Sequence, residues 1–220
     1  MMGESGLHVS GNSSRVPNWR GFICVLFVCA FTFVANASGA DALDILKATT
    51  EALSNEVEQN RDALEADPVA ARAVVRKILT PQLDLDRTSR WVLGKYWRQA
   101  DTAQKERFIE EFRTLLVRLY ASAVADLASV DVEYLPVQGA PGAKDVVVQT
   151  RIPRDGAESI GVYYRMYNGE HGWKVYDVTI DGVSLVTTYR ASFSRLVRTD
   201  GMDVLIDRLA ERNREAGQTS

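Results

Sequence analysis

The spacing of apolar residues predicts four helices in the chain between residues 40 and 128. Apolar positions three and four apart mark one face of each helix. The predicted helices are 41–66, 68–79, 84–97 and 101–128. Asp67-Pro68 ends the first and begins the second, because proline suits the first turn of a helix. Asp101 and Gln104 have capping-box spacing at the start of the fourth. Gly94 weakens the third helix and predicts a close helix contact there.

The pattern changes to that of strands between residues 130 and 180. Four segments rich in β-branched and aromatic residues are 130–137, 145–152, 159–167 and 172–180. Turn-forming pairs such as Asn168-Gly169 and short connections favour an antiparallel meander. Helical spacing returns after Gly182 and again after Gly201. This order predicts an α+β fold, with helices packed mainly on one face of a four-stranded antiparallel sheet.

Both faces of the predicted sheet carry large apolar side chains. In the third strand, Val162, Tyr164 and Met166 share one face. In the fourth strand, unbroken alternation places Val175 on one face, and Tyr176, Val178 and Ile180 on the other. A sheet with helices on one side is expected to have one polar face. Two interpretations are therefore open: a core on both sides, or a pocket for an apolar ligand on one side.

Composition and charge narrow the possible functions only slightly. The chain has 220 residues, of which 46% are hydrophobic and 25% are charged, as is typical of a globular domain. Its net charge of −3 does not favour nucleic acid as a partner.

The first 37 residues have the three-part pattern of a secretory signal peptide. Arg15 and Arg20 precede an uncharged apolar run over 21–34, and an A-x-A cleavage motif follows at 35–37. The run is shorter than the roughly 20 residues of a membrane span. We therefore expect export with cleavage after Ala37, or alternatively after Ala40, rather than an uncleaved anchor. Both cysteines lie within this segment, so the mature protein is expected to lack thiol and disulfide chemistry.

The sequence beyond residue 37 carries no pattern typical of catalysis or metal binding. His171, the one histidine there, lies in a predicted turn without the companions that a metal site or a triad requires. Asp177 and Asp181 come closest to a carboxylate pair, but Asp177 is expected to accept hydrogen bonds at the sheet edge. Asp84 and Asp86 are expected to begin a helix. We therefore expect no catalytic residue, no metal and no cofactor.

Three segments, in order along the chain, carry a family resemblance. They are SRWVLGKYWRQADTAQKERFIEEFRTLLVRLYASAV at 89–124, GWKVYDVTIDGVSLVTTYR at 172–190, and LVRTDGMDVLIDRLAERN at 196–213. Together they resemble the MlaC family of periplasmic phospholipid-carrier proteins, also called toluene-tolerance proteins. The resemblance implies a twisted, nuclear-transport-factor-like antiparallel sheet packed with helices around an apolar cavity. It also implies a lipid-carrier domain over 38–213, followed by a flexible tail over 214–220.

The resemblance further implies a monomeric, non-catalytic carrier of glycerophospholipid in the periplasm. Its expected partners are an outer-membrane lipoprotein–porin complex and an inner-membrane ABC transporter with an MCE-domain ring, in a system that maintains outer-membrane lipid asymmetry. A hopanoid-associated subgroup of the family is an open alternative. Two other classes also remain open, a small-molecule enzyme on a cone-like α+β fold and an adaptor domain without a cavity.

The residues expected to bind lipid are apolar and aromatic side chains of the strands and of the central helices. They are Leu93, Trp97, Phe112, Leu115, Leu119, Val146, Val148, Val162, Tyr164, Met166, Tyr176, Val178 and Tyr189. Arg190 is either a phosphate partner near the mouth of the cavity or a solvated helix residue.

Overall fold

Residues 37–127, 130–154 and 156–218 are described by a computed structural model, and they belong to one compact unit. The predicted signal peptide, 1–37, lies outside these residues except for Ala37, where the first helix begins. Within the described ranges, helices come first, then strands, then helices again. This order confirms the predicted α+β class.

Within the described ranges, five α-helices precede the sheet: α1 Ala37–Gln59, α2 Arg61–Ala66, α3 Pro68–Leu79, α4 Leu85–Leu93 and α5 Thr102–Leu127. The segment predicted as one helix over 41–66 is two helices, which are separated at Asn60. α5 is unbroken over 26 residues, close to its predicted bounds.

Two α-helices follow the sheet in the part of the chain that the structure describes: α6 Leu185–Asp200 and α7 Met202–Gln218. The second of them continues past Arg214, where the sequence predicts a flexible tail. Among the described helices, none is both long enough and apolar enough to cross a bilayer.

Aspartate side chains cap three of the helices, and the sequence predicts two of these caps, at Asp84 and Asp101. Asp67 accepts a hydrogen bond from the backbone N of Val69 at 2.8 Å, at the start of α3. Asp84 accepts from the backbone N of Arg87 at 2.9 Å, at the start of α4. Asp101 and Gln104 form a reciprocal capping box before α5, with distances of 2.8 and 3.2 Å. These caps fix helix starts by satisfying N–H groups that have no partner within the helix.

Gly94 ends α4, although the sequence predicts a helix that continues to residue 97. Its φ of 56° lies in the left-handed region, which a glycine adopts without steric cost. The chain continues as a 3₁₀ helix, Gly94–Arg98. A Cβ atom at position 94 would lie 3.1 Å from Nη2 of Arg190, which confirms the predicted close contact.

The sheet is an antiparallel meander, as predicted, but it has five strands within the described ranges rather than four. Its strands are β1 Glu133–Tyr134, β2 Asp145–Arg154, β3 Ala157–Gly169, β4 Gly172–Ile180 and β5 Val183–Ser184, in the order β1-β2-β3-β4-β5. β5 follows a tight turn in which Asp181 has a φ of 47° and Gly182 a φ of 83°. Because the turn is so short, Ile180 pairs with Val183, and the last strand is too brief for a sequence pattern to reveal.

A β-bulge in β4 corrects the prediction for its faces. Val175 pairs with Met166, but the next pair along β3 joins Arg165 to Asp177, so Tyr176 is an extra residue. Val178 then pairs with Tyr164, and paired residues share a face. Val178 and Ile180 are therefore on the same face as Val175. We call this face, which also carries Val162, Tyr164 and Met166, the inner face.

Helix α1 crosses the inner face and forms the first part of the core. Ala42 and Leu46 belong to one buried cluster with Val148, Met166 and Trp173. A second core lies among α4, α5, α6 and α7, with Phe108, Phe112, Phe193 and Ile206 at its centre. A third cluster joins α1, α3 and α5 through residues that include Leu53, Val75 and Val117.

The outer face of the sheet is only partly covered. Tyr163 is 38% exposed, and Arg165 beside it is also exposed. At one end of this face, the guanidinium carbon of Arg87 lies 3.4 Å from the centroid of the Tyr167 ring. Trp91 stacks on Tyr176 with ring centroids 6.5 Å apart. α4 is thus attached to the outer face by aromatic and cation–π contacts.

Candidate functional site

An apolar cavity of about 280 Å³ lies between the inner face of the sheet and helices α1, α3 and α5. The sheet contributes alternate residues of β2, β3 and β4, which follows from the two-residue period of a strand. Its main contributors are Thr150, Ile152, Val162, Tyr164, Met166, Val175, Val178 and Ile180. The bulge in β4 brings Val178 and Ile180 to this wall.

The helical wall comes from one stripe of each helix. Residues three and four apart share a helix face, and this spacing recurs in α1, α3 and α5. They contribute Ile45, Leu46, Thr49, Thr50 and Leu53 from α1, Val75 and Leu79 from α3, and Phe112, Arg113, Leu116, Val117, Tyr120 and Val124 from α5. Other residues of the wall are Leu85 and Thr88 of α4, Leu185 and Val186 at the start of α6, and Thr80, Gln82, Leu83 and Val132 of the connecting segments.

Four of the five threonine hydroxyls in the wall are bonded to the protein backbone, and the fifth, that of Thr80, is buried without a partner among the described residues. Thr49 and Thr50 donate to the carbonyls of Ile45 and Leu46, at 2.7 and 3.0 Å. Thr88 donates to the carbonyl of Tyr176 at 2.9 Å, and Thr150 donates to that of Val162 at 3.3 Å. Because these hydroxyls are already bonded, they have little need of a ligand partner. These four threonines therefore leave their part of the wall chemically close to a hydrocarbon surface.

Two tyrosines of the wall remain neutral at physiological pH. Burial is the main cause that raises the pKa of Tyr164 above its ordinary value. Burial also raises the pKa of Tyr176 to about 12, and its hydroxyl donates to the Asp145 carboxylate at 2.9 Å. Neither group is suited to act as a base near neutral pH.

Asp177 is buried, but the fold uses its carboxylate. It is 7% exposed and accepts hydrogen bonds from the Ser184 hydroxyl at 2.8 Å and from the backbone N of Val186 at 3.1 Å. This confirms the prediction that it accepts hydrogen bonds at the sheet edge. His171 is exposed in a turn, also as predicted. Among the described residues, no group of three or more histidine, cysteine or acidic side chains is placed to hold a metal.

Six of the thirteen residues expected to bind lipid line the cavity. These are Phe112, Val162, Tyr164, Met166, Tyr176 and Val178. That they contact lipid stays a prediction. The structure shows only that they border one apolar space.

The other seven lie elsewhere. Val146 and Val148 pack in the buried cluster beneath α1. Leu93, Leu115, Trp97 and Tyr189 belong to or border the core among α4, α5, α6 and α7. Leu119 is 50% exposed on the surface of α5. The reason is helical geometry, since the cavity meets the stripe of α5 that contains residues 113, 116, 117 and 120 rather than 115 and 119.

Tyr189 and Arg190 lie outside the cavity wall for different reasons. Tyr189 packs edge-on against Phe112, with ring centroids 5.1 Å apart, and burial raises its pKa, with a hydrogen bond to Tyr120 as the second cause. Arg190 lines a separate surface groove together with the basic residues Lys95, Arg195 and Arg198. Its position fits the solvated alternative.

Sequence reasoning missed the contributions of α1, α3 and Arg113 to the wall. The apolar stripe of α1 through Leu46, Thr50 and Leu53 was a visible signal, because its period is that of an amphipathic helix. A helix that packs on a solid core has the same period, so this signal alone does not indicate a cavity. Arg113 gave no apolar signal, because its neighbours in sequence, Glu110 and Glu111, indicate a solvated helix face.

Comparisons with known proteins agree on one family. The family described as "MlaC protein" matches residues 47–211. The chain is 23% identical over 193 residues to the intermembrane phospholipid transport system binding protein MlaC of Haemophilus influenzae, covering 86% of this chain and 89% of that protein. It is 25% identical over 162 residues to the toluene tolerance protein ttg2D of Pseudomonas putida, covering 73% and 75% of the two chains.

A solved structure shares the fold. It is the phospholipid-binding protein of Ralstonia solanacearum in complex with a phospholipid, determined at 1.53 Å resolution. The two structures have a TM-score of 0.73 with 29% sequence identity, over 80% of this chain and 98% of the other.

Proposed function

Because this chain belongs to the MlaC family, we propose that it is a non-catalytic carrier that binds a glycerophospholipid in the cavity between the sheet and α1, α3 and α5. The predominantly apolar cavity wall is the observation that carries this proposal. Burying each methylene of an acyl chain contributes about 0.8 kcal/mol, so a mostly apolar wall suffices for affinity. The relative crystallised with a phospholipid supports the same ligand class.

The cavity is too small for the hydrocarbon part of a diacyl lipid. Its volume of about 280 Å³ is just below the roughly 300–1,000 Å³ of small-molecule pockets. We therefore propose that the helices move away from the inner face when acyl chains enter, while the head group stays at the surface. Bound lipid then stabilises the folded protein by mass action, since the unfolded chain has no such site.

We further propose the cellular setting that the family resemblance implies. The chain is exported by a cleaved signal peptide and acts as a monomer in the periplasm. It exchanges lipid with an outer-membrane lipoprotein–porin complex and an inner-membrane MCE-domain ABC transporter, which supports lipid asymmetry of the outer membrane. A hopanoid ligand is the alternative within the same family.

Mass spectrometry of the purified protein tests the ligand class. The protein is expressed with its signal sequence, purified without detergent, and measured intact before and after extraction with organic solvent. We expect the lost mass and the extract to identify phospholipid. A hopanoid in the extract would support the alternative. No lipid in the extract, together with no uptake from phospholipid vesicles, would contradict both.

Two neighbouring substitutions test the site. Val178 points into the cavity from β4, whereas Thr179 pairs with Tyr163 of the outer face. We expect Val178→Trp to fill part of the cavity and reduce the lipid bound per protein, and Thr179→Trp to leave it unchanged. Thermal unfolding of both variants verifies that they fold. Equal lipid loading in two folded variants would place the lipid elsewhere.

A further inference from the structure

The cavity wall contains two charged side chains among its described residues, Arg113 and Asp177. The Asp177 carboxylate already accepts from Ser184 and Val186, at 2.8 and 3.1 Å, and holds the first turn of α6. Arg113 is therefore the charged group of the wall that the backbone does not use.

The guanidinium of Arg113 is only partly satisfied. Nη1 is paired with the carboxylate of Glu110, which is 56% exposed. Nε is buried and has no hydrogen-bond partner within the described part of the chain. A guanidinium offers five N–H donors, and a buried donor without an acceptor is unfavourable. Arg113 thus has donor capacity that an added anion satisfies.

The side chain of Arg113 extends from the cavity to the protein surface. Its side chain is 31% exposed, although Nε is buried and the residue lines the apolar cavity. The guanidinium therefore lies where the cavity meets solvent. A ligand with a hydrocarbon part and an anionic part can place the first in the cavity and the second against Arg113.

We infer that Arg113 binds the phosphate of the lipid that the cavity holds. This inference rests on the proposed carrier function and adds a specificity determinant to it. Arginine matches the two non-bridging oxygens of a phosphodiester with two parallel N–H donors. The phosphate then takes the place of the Glu110 carboxylate, which returns to solvent.

A competition experiment isolates the phosphate. The protein is incubated with vesicles that contain phosphatidylglycerol and diacylglycerol with the same acyl chains, and the bound lipids are quantified by mass spectrometry. We expect Arg113→Gln to lower the ratio of bound phosphatidylglycerol to diacylglycerol by about tenfold, as for the loss of a charge-assisted hydrogen bond. Arg113→Lys keeps the charge but not the paired donors, so an intermediate ratio is expected.

Glu110→Gln provides the opposite change. It weakens the ion pair between Glu110 and Arg113, which competes with the phosphate at an exposed site. The ratio of bound phosphatidylglycerol to diacylglycerol is therefore expected to rise. Arg190→Gln is the matched control, because Arg190 is a basic residue outside this cavity, and its ratio is expected to equal that of the wild type. If Arg113→Gln does not fold, Glu110→Gln decides the question alone, and an unchanged ratio overturns the inference.

The outcomes separate the two proposals. A wild-type protein that takes up neither lipid contradicts the carrier function itself. Uptake of both lipids with the same ratio in all variants contradicts only the role of Arg113. Inorganic phosphate is added in a parallel arm, and the NMR signal of Arg113 Nε is followed. If free phosphate shifts this signal as strongly as phosphatidylglycerol does, Arg113 is a general anion site and the inference is overturned.

Discussion

Asp177→Ala tests whether a buried carboxylate holds the first turn of α6 against the sheet. The carboxylate accepts from the Ser184 hydroxyl at 2.8 Å and from the backbone N of Val186 at 3.1 Å, at a site where Asp177 is 7% exposed. Ser184 is itself the N-cap of α6 and accepts from the backbone N of Thr187 at 3.1 Å. One substitution therefore removes the acceptor of two donors and loosens a helix cap.

The expected loss of stability depends on whether each of the two donors finds another acceptor after the substitution. Val186 is 8% exposed, so its N–H is left without an acceptor, at a cost of about 1–3 kcal/mol. Ser184 is less buried, and its hydroxyl can turn to water, so only the bond to the charged group is lost. We expect Asp177→Ala to lower the free energy of unfolding by about 3 kcal/mol. Asp177→Asn keeps one acceptor oxygen, and a loss of about 1 kcal/mol is expected.

Urea unfolding followed by circular dichroism measures both values. Asp86→Ala is the control, because it removes a carboxylate that forms an exposed i,i+4 ion pair with Arg90. Its expected effect is about 0.5 kcal/mol or less. If Asp177→Ala costs no more than Asp86→Ala, the two buried hydrogen bonds do not hold α6. Lipid loading by Asp177→Asn equal to that of the wild type would agree with a structural, non-catalytic role.

Three further predictions address packing, backbone strain and pH. Leu115→Ala is expected to lower the free energy of unfolding by about 2–5 kcal/mol because Leu115 is 5% exposed, whereas Leu119→Ala, one turn later and 50% exposed, is expected to change it by about 0.5 kcal/mol or less. Equal losses in denaturant titrations would contradict the orientation of α5. Gly94→Ala is expected to cost about 1–2 kcal/mol because φ at Gly94 is 56°, and an unchanged unfolding midpoint would rule out that conformation. Tyr176 has a pKa of about 12, above its ordinary value near 10, so its neutral form stabilises the fold below pH 10 and this contribution is lost between about pH 10 and pH 12. The stability difference between wild type and Tyr176→Phe is expected to shrink across that window, and a difference independent of pH would contradict it.

Local chemistry made the helix starts predictable. A capping side chain acts within three residues of the backbone groups that it satisfies, so Asp84 and Asp101 could be identified from the sequence alone. The meander was predictable for the same reason, because each turn lies between the strands that it joins. The break at Asn60 was not, since its side chain provides no cap to α2.

The faces of β4 depended on the pairing between strands. Alternation alone places Val178 opposite Val175, yet the bulge at Tyr176 adds one residue and reverses every later position. The sequence near Tyr176 contains no glycine that would indicate a bulge. Both interpretations of the apolar sheet, a core on both sides and a pocket on one side, assumed unbroken alternation along β4. The bulge shows that this assumption is wrong.

A cavity wall and a solid core require the same residue types, which is why the sequence could not separate them. A cavity differs from a core by the distance between α1 and the inner face. The whole fold determines this distance. An enclosed void costs about 24 cal/mol per Å³, so this cavity of about 280 Å³, which is partly open to solvent, costs the empty fold at most about 7 kcal/mol. That value is comparable with the entire stability of a typical domain, about 5–15 kcal/mol. A fold that only needed stability would gain by filling this space with larger side chains at Thr50, Val117 or Val178. The open cavity is therefore best explained by a ligand that fills it, and the stabilisation that lipid provides is expected to approach the cost of leaving it empty.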